Sequence, residues 1–398
     1  MKLNKNFKYL GEDYLFAEVA KRVEAYKTEF PNSDVISLGI GDVTQPLSIK
    51  VADACKDASV EMSTKIGFRG YGPYDGYPFL KNAIVDYYKL RGINIDADEV
   101  FVTNGAKDAL GNFLDLFDAD NTVMIPDPVY PAYVDANIMD GRKIVYVYGN
   151  RENGFLPMPP RKGKADIIYL CSPNNPTGAA YTAEQLREWV QFALDNEAVI
   201  LYDAAYEAYV NKGEAARSIF EVTGARDCAV EFCSFSKMAG FTGVRCGWTV
   251  IPMASPLNRM WLRRQSTKFN GTGYIVQRMA ERSIRLGFED TMKSVAAYKR
   301  TAKIITDKFD SLGIEYLGGE NAPYVWFYCG IKSWEFFDYL LKKARIVVTP
   351  GSGFGKNGEG WLRATSFNTP ERTEEAMKRF EAFWKEYLEV KDKLFKLL

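Results

Sequence analysis

Short apolar runs alternating with helical stretches constrain this chain more than any other feature. From residue 79 onward, strand-like runs at 100–103, 122–125, 143–147, 167–171, 198–202 and 229–233 are separated by segments of helical pattern such as 79–91 and 182–195. Several of the runs are apolar at successive positions, so both faces of each strand need cover. A mainly parallel sheet with helices on both sides supplies it, which makes the predicted fold class α/β. Ligands in such sheets bind beyond the carboxyl ends of the strands.

The rest of the chain is organised around that sheet. A polar arm at 1–11 leads into an amphipathic helix at 14–28 that Pro31 ends, then a short strand at 35–38 and a loop at 39–46. A helix is predicted at 48–63, and the stretch 67–76 is too rich in Gly, Pro and Tyr for regular structure. After residue 264 the pattern changes to a long helical region at 273–312, short strands at 324–328, 346–349 and 360–367, and a charged helix from 370 onward. A chain of 398 residues exceeds one ordinary core. The predicted organisation is a large domain at 46–264 and a smaller α+β domain at 265–398, joined by the N-terminal segment 1–45.

Composition removes whole classes of function. Lys plus Arg and Asp plus Glu are 51 each, so no global field favours nucleic acid or an anionic membrane. No apolar run is long enough to span a bilayer and nothing resembles a signal peptide. The six cysteines lack CxxC spacing and read as free thiols of a reducing cytoplasm. There is no histidine, which excludes His-based triads and His metal ligands and leaves proton chemistry to Lys, Tyr, Asp, Glu or Cys. No metal site is expected.

Five motifs each follow a predicted strand: Asn-Gly-Ala-Lys at 104–107, Asp-Pro-Val-Tyr at 127–130, Ser-Pro-Asn-Asn-Pro-Thr-Gly at 172–178, Asp203, and Ser-Phe-Ser-Lys at 234–237. In the last, Ser234 and Ser236 flank the approach to Lys237, and Arg245 lies eight residues on. Two hydroxyls and a guanidinium suit phosphate oxygens, while the amine stays free to condense with a carbonyl. Ala106 and Lys107 open a helix, where free amides and the dipole also suit a phosphate. Asp203 at a strand end needs a positive partner if buried, and a pyridinium nitrogen would be one. Tyr206 and Asn175 could then hold that ring's phenolic oxygen, and Tyr130 could lie on its face. Taken singly, each has an ordinary alternative: Asp203 as a helix cap, Asn175 as a turn residue, Arg245 as half of a surface ion pair. Their common edge on one sheet is what makes a site.

The order Asn-Pro-Thr-Gly, Asp-x-x-Tyr, Ser-x-x-Lys and then Arg resembles the fold type I pyridoxal-phosphate aminotransferases of class I/II. Phrases such as LGIGDVTQPL, DPVYPAY, SFSKMAGFTGVRCGWTVIP and TPGSGFGKNGEGWLRATSF are similar to the branch that transaminates LL-2,6-diaminopimelate in lysine synthesis. The resemblance implies pyridoxal 5'-phosphate as cofactor, covalently held by Lys237, and a homodimer whose subunits share each active site. It implies that Arg363 binds the substrate α-carboxylate, which its place in a strand after a Gly-rich loop also suits. Tyr14, Gly41, Lys107, Tyr130, Asn175 and Asn270 are implied as substrate contacts, with Tyr71 and Asn270 lent by the other subunit. Where that branch has Glu-Gln-Gly after Gly-Tyr-Gly-Pro, this chain has Tyr74, Asp75 and Gly76. Asp75 is thereby expected to sense the distal ammonium of the substrate.

The function expected is transfer of an amino group between LL-2,6-diaminopimelate and 2-oxoglutarate in the cytoplasm. The alternatives are a sister aminotransferase for another donor, a C–S lyase on the same scaffold, or a non-catalytic regulator.

Overall fold

The structure, a computed structural model, describes residues 1–11 and 14–395. In chain order its strands are β1 (Ile36–Ser37), β2 (Val100–Thr103), β3 (Thr122–Asp127), β4 (Lys143–Tyr148), β5 (Ile167–Cys171), β6 (Val199–Asp203), β7 (Ala229–Ser234) and β8 (Gly247–Val250). These are followed by β9 (Tyr316–Gly318), β10 (Tyr324–Tyr328), β11 (Ile346–Val347), β12 (Thr349–Pro350) and β13 (Trp361–Thr365). Seven strands form the main sheet in the order β2-β8-β7-β6-β5-β3-β4. All its neighbours pair in parallel except β8, which is antiparallel to both β2 and β7. Every residue of β2, β5 and β7 is buried, as a sheet covered on both faces requires.

The strand β8 was not among the runs read from the sequence, because it begins with glycine inside a glycine-punctuated stretch. The packing explains that glycine. A Cβ on Gly247 would lie 2.6 Å from the Cys233 carbonyl oxygen and 2.8 Å from the Cα of Gly105. Only a residue without a side chain lets β8 pass this close to the start of the helix Ala106–Phe113.

Helix formation follows local rules where the sequence is explicit. Thr182 caps the helix Ala183–Asp195: its Oγ1 accepts from the Gln185 amide at 3.2 Å, and Gln185 Oε1 accepts from the Thr182 amide at 2.9 Å. Leu186, Trp189, Val190 and Ala193 then fall on one face and are buried. Each Leu or Val so buried contributes about 1.5–3 kcal/mol relative to exposure.

Two hydrophobic cores result. The first contains Ile125, Ile168, Leu201, Val230 and Trp248 of the main sheet. The second contains Leu15, Val19, Ile36 and Leu38 from the N-terminal segment, with Trp326, Phe336, Leu362 and Phe380. The predicted division after residue 264 falls inside the helix Pro256–Lys268, whose Trp261 belongs to the first core. The region 273–312 is two helices, Tyr274–Ile284 and Phe288–Ser311, broken where Arg285 leaves helical geometry at φ −102° and ψ −98°. Val295 and Tyr298 of the second helix still pack in the first core, while Ile305 and Phe309 pack in the other.

Candidate active site

The carboxyl ends of β3, β5, β6 and β7 open on a cavity of about 640 Å³. Its lining includes Gly41, Ala106, Lys107, Tyr130, Asn175, Asp203, Tyr206, Ser234, Ser236, Lys237, Arg245 and Arg363. Strand alternation and the short loops after each strand bring these distant positions to one edge.

Asp203 ends β6 and is buried. Its Oδ2 accepts from the Tyr133 hydroxyl at 2.5 Å and its Oδ1 from the Ala205 amide at 3.0 Å. No cation pairs with it among the described residues. Burial pushes its carboxyl above the ordinary range, against the lowering effect of those two donors. A carboxylate in this condition fits a ligand that brings its own positive charge.

Around the end of β7 the backbone is arranged for an anion. Ser234 Oγ accepts from the Ser236 amide at 3.1 Å, which starts the short helix Phe235–Met238. Arg245 donates from Nη1 to Ser236 Oγ at 3.2 Å and holds a left-handed backbone, φ +67°, uncommon for a side-chain-bearing residue. Its guanidinium rests on Gly105, where an added Cβ would stand 2.6 Å from Nη2. Arginine, two hydroxyls and the amino end of the helix Ala106–Phe113 thus face one space, a donor set for a phosphate.

Lys237 lines the same cavity. Its ammonium donates to the Gly41 carbonyl, and burial pushes its pKa down to about 8; Asp42 opposes the shift, while Arg363 and Arg245 add to it. A lysine so lowered is a nucleophile and proton acceptor near neutral pH.

Arg363, on β13, is 1% exposed. It donates from Nη1 to Asn175 Oδ1 at 2.6 Å and from Nη2 to the Gly39 carbonyl at 2.7 Å and Thr349 Oγ1 at 3.4 Å. Its Nε is buried without a partner, and no carboxylate pairs with it among the described residues. Burial lowers its pKa. A buried guanidinium held by neutral acceptors at one edge fits a ligand carboxylate at the other.

Four expected residues do not line this cavity. Tyr14 lines an adjoining one of about 970 Å³, which Lys107 and Tyr130 also border. There the Lys107 ammonium lies 5.1 Å from the centre of the Tyr14 ring and 5.9 Å from that of Tyr130. Tyr71, 89% exposed, and Asn270, also exposed, do not line their own chain's cavity. Asp75, expected to sense a substrate ammonium, pairs through its Oδ2 with the buried ammonium of Lys81 in the first turn of the helix Pro78–Lys89. That pairing keeps Lys81 from being a lone buried charge, while the Asp75 side chain stays 27% exposed.

Two tyrosines were not foreseen. Tyr133 follows Tyr130 by three residues, one helical turn, a spacing that could have flagged it. Tyr324, whose hydroxyl meets that of Tyr206 at 2.7 Å, is placed by the pairing of β10 with β13, which no local signal reveals.

Residues 33–380 match the family "Aminotransferase class I and II". The chain is 46% identical over 404 residues to the LL-diaminopimelate aminotransferase of Methanosphaera stadtmanae, covering 95% of this chain and 98% of that protein. It is 48% identical over 396 residues to the enzyme of that name from Azobacteroides pseudotrichonymphae, with 96% and 98% covered. Among solved structures it is similar to the L,L-diaminopimelate aminotransferase of Chlamydomonas reinhardtii, with a TM-score of 0.92, 39% identity, and 96% and 98% of the two chains covered. With a phosphate cup, a lowered lysine, a buried carboxylate and a buried arginine on one sheet edge, and with these matches along nearly its whole length, the chain belongs to the class I and II aminotransferase family.

Proposed function

We propose that this protein is a pyridoxal 5'-phosphate-dependent aminotransferase that passes the amino group of LL-2,6-diaminopimelate to 2-oxoglutarate. The products are glutamate and an oxo acid that cyclises, with loss of water, to tetrahydrodipicolinate; the reaction runs in either direction. The observation that carries this reading is a pair of buried charges, Asp203 and Arg363, neither matched by an opposite charge among the described residues, lining one cavity with Lys237.

When bound, pyridoxal 5'-phosphate supplies an electron sink for the bond broken at the substrate α-carbon. Asp203 would hold the ring-nitrogen proton. Asn175, whose Oδ1 is engaged by Arg363, would offer its Nδ2 protons to the ring's phenolic oxygen, as would the Tyr206 hydroxyl. Tyr130 would pack on the ring. Ser234, Ser236, Arg245 and the amides of Ala106 and Lys107 would hold the phosphate. Lys237 would anchor the cofactor covalently and, as a neutral amine, would accept the proton from the substrate α-carbon. Arg363 grips the α-carboxylate and fixes which hydrogen faces Lys237.

A second copy of the chain completes the site. Tyr71 and Asn270, exposed on one chain, are assigned to the partner's cavity in a homodimer, where Asn270 meets substrate. Tyr14, Gly41 and Lys107 are the remaining substrate contacts. The six free thiols support a cytoplasmic setting. The change from large to small domain is assigned to the helix Phe288–Ser311, which serves both cores.

One observation favours a second reading, a related aminotransferase with another amino donor: the engagement of Asp75 by Lys81. The deciding experiment assays a panel of amino donors against 2-oxoglutarate. A kcat/KM for LL-diaminopimelate at least tenfold above every other dibasic or acidic donor except glutamate supports the first reading. Preference for a different donor replaces it with the second.

A further inference from the structure

Tyr324 sits where three functional groups converge. Its hydroxyl meets that of Tyr206 at 2.7 Å, and each is the other's only polar partner among the described residues. Its ring faces the Arg363 guanidinium at 4.6 Å from the centroid. Its hydroxyl would stand 3.1 Å from a Cβ on Gly41, the residue whose carbonyl receives the Lys237 ammonium. Tyr324 is 1% exposed, so these contacts are made out of water, where hydrogen bonds in series polarise one another.

We propose that Tyr324 is a positioning residue that relays the charge state of Arg363 to the cofactor ring through the Tyr206 hydroxyl. The inference rests on the roles given above to Arg363 and Tyr206. The cation over its ring makes Tyr324 the stronger acid of the pair: burial raises both phenols, but Arg363 holds Tyr324 to about 12 while Tyr206 stays well above its ordinary value. At 2.7 Å either hydroxyl can donate; the relay has Tyr324 donating and Tyr206 accepting, which leaves the Tyr206 proton free for the ring oxygen. When a substrate carboxylate neutralises Arg363, Tyr324 becomes a weaker donor and Tyr206 a weaker one in turn. The ring oxygen gains basicity at the moment substrate is seated.

The test reads the pH midpoint of the visible absorption band of the holoenzyme, with no turnover. Tyr324→Phe should raise the midpoint by about half to one pH unit, because one hydrogen bond stops supporting the ring-oxygen anion. Tyr206→Phe should raise it further, and adding Tyr324→Phe to that variant should move it by less than about 0.2 unit, since the relay is already cut. Glutarate, a dicarboxylate without an amino group, should raise the wild-type midpoint and move that of Tyr324→Phe by less than half as much. Gly41→Ala, which keeps both hydroxyls but presses a methyl on Tyr324, should shift the midpoint upward too, giving a second reading if Tyr324→Phe fails to fold. A Tyr324→Phe midpoint equal to wild type, or an undiminished effect in the Tyr206→Phe background, overturns the relay. No shift on Tyr206→Phe itself overturns the underlying role of Tyr206, a different failure from the first two.

Discussion

Arg363→Lys separates the two duties of the arginine, the internal bonds it makes and the carboxylate grip proposed for it. One edge is committed to Asn175 Oδ1 at 2.6 Å and the Gly39 carbonyl at 2.7 Å. Its Nε is buried without a partner, so the guanidinium still has a donor to give. A lysine ammonium is a point charge and cannot serve both duties. Losing one charge-assisted bond to the carboxylate costs about 1.5–3 kcal/mol, or roughly 10- to 150-fold in kcat/KM. The factor should be equal for diaminopimelate and glutamate, whose reacting carboxylates are alike. Leaving one of the two buried acceptors unmet costs a further 1–3 kcal/mol or so, but in the free protein, where it appears as lower stability to urea rather than in kcat/KM. Steady-state kinetics with both donors, beside a denaturation curve, measure the two terms separately. A change in kcat/KM below about threefold, or a loss confined to one donor, would refute the assignment of Arg363 to the reacting carboxylate.

Asp203→Asn keeps a side chain of the same shape beside Tyr133 but cannot hold a ring-nitrogen proton; kcat should fall at least about a hundredfold with cofactor still bound, and a loss under tenfold would make Asp203 structural. The Lys237 amine, lowered to about 8, should react in the apoprotein with pyridoxal phosphate along a pH profile whose midpoint lies near 8; a midpoint at the ordinary lysine value of 10.5 contradicts its burial. The same lowering has a sign in stability: between about 8 and 10.5 the unfolded chain holds a proton that the native state has released, so this group makes apoprotein stability rise with pH across that window. Asp75→Asn should lower stability by roughly 1.5–3 kcal/mol through Lys81 and change kcat/KM for both donors by the same factor; a loss specific to diaminopimelate would return Asp75 to the substrate.

Much of the sheet was legible because fully buried strands announce themselves. The runs at 100–103 and 167–171 are strands at those limits, and the cluster of motifs after strand ends did collect in one cavity. What could not be read depends on contacts across the chain. Gly247 looked like loop because its lack of a side chain serves Gly105, far away in sequence. Asp75 and Lys81 both show in the sequence as charges, but nothing local says that the lysine turns inward and takes the carboxylate with it. Tyr324 owes its place to the register that sets it opposite Thr365 and brings Trp326 opposite Arg363. Such registers follow from packing, not from the residues nearest the tyrosine.

Because Arg363 lies on a strand of the second core and bonds to Asn175 at the mouth of the first, the active site is also a latch between two bodies. A ligand seated by its carboxylate on Arg363 and by its other contacts on the first body adds a second tie across the same seam. Binding should therefore stiffen that seam as well as fill the cavity. Amide hydrogen exchange would show it as slowed opening in residues 361–365 and 171–175 together, with the helix Ala183–Asp195 unaffected.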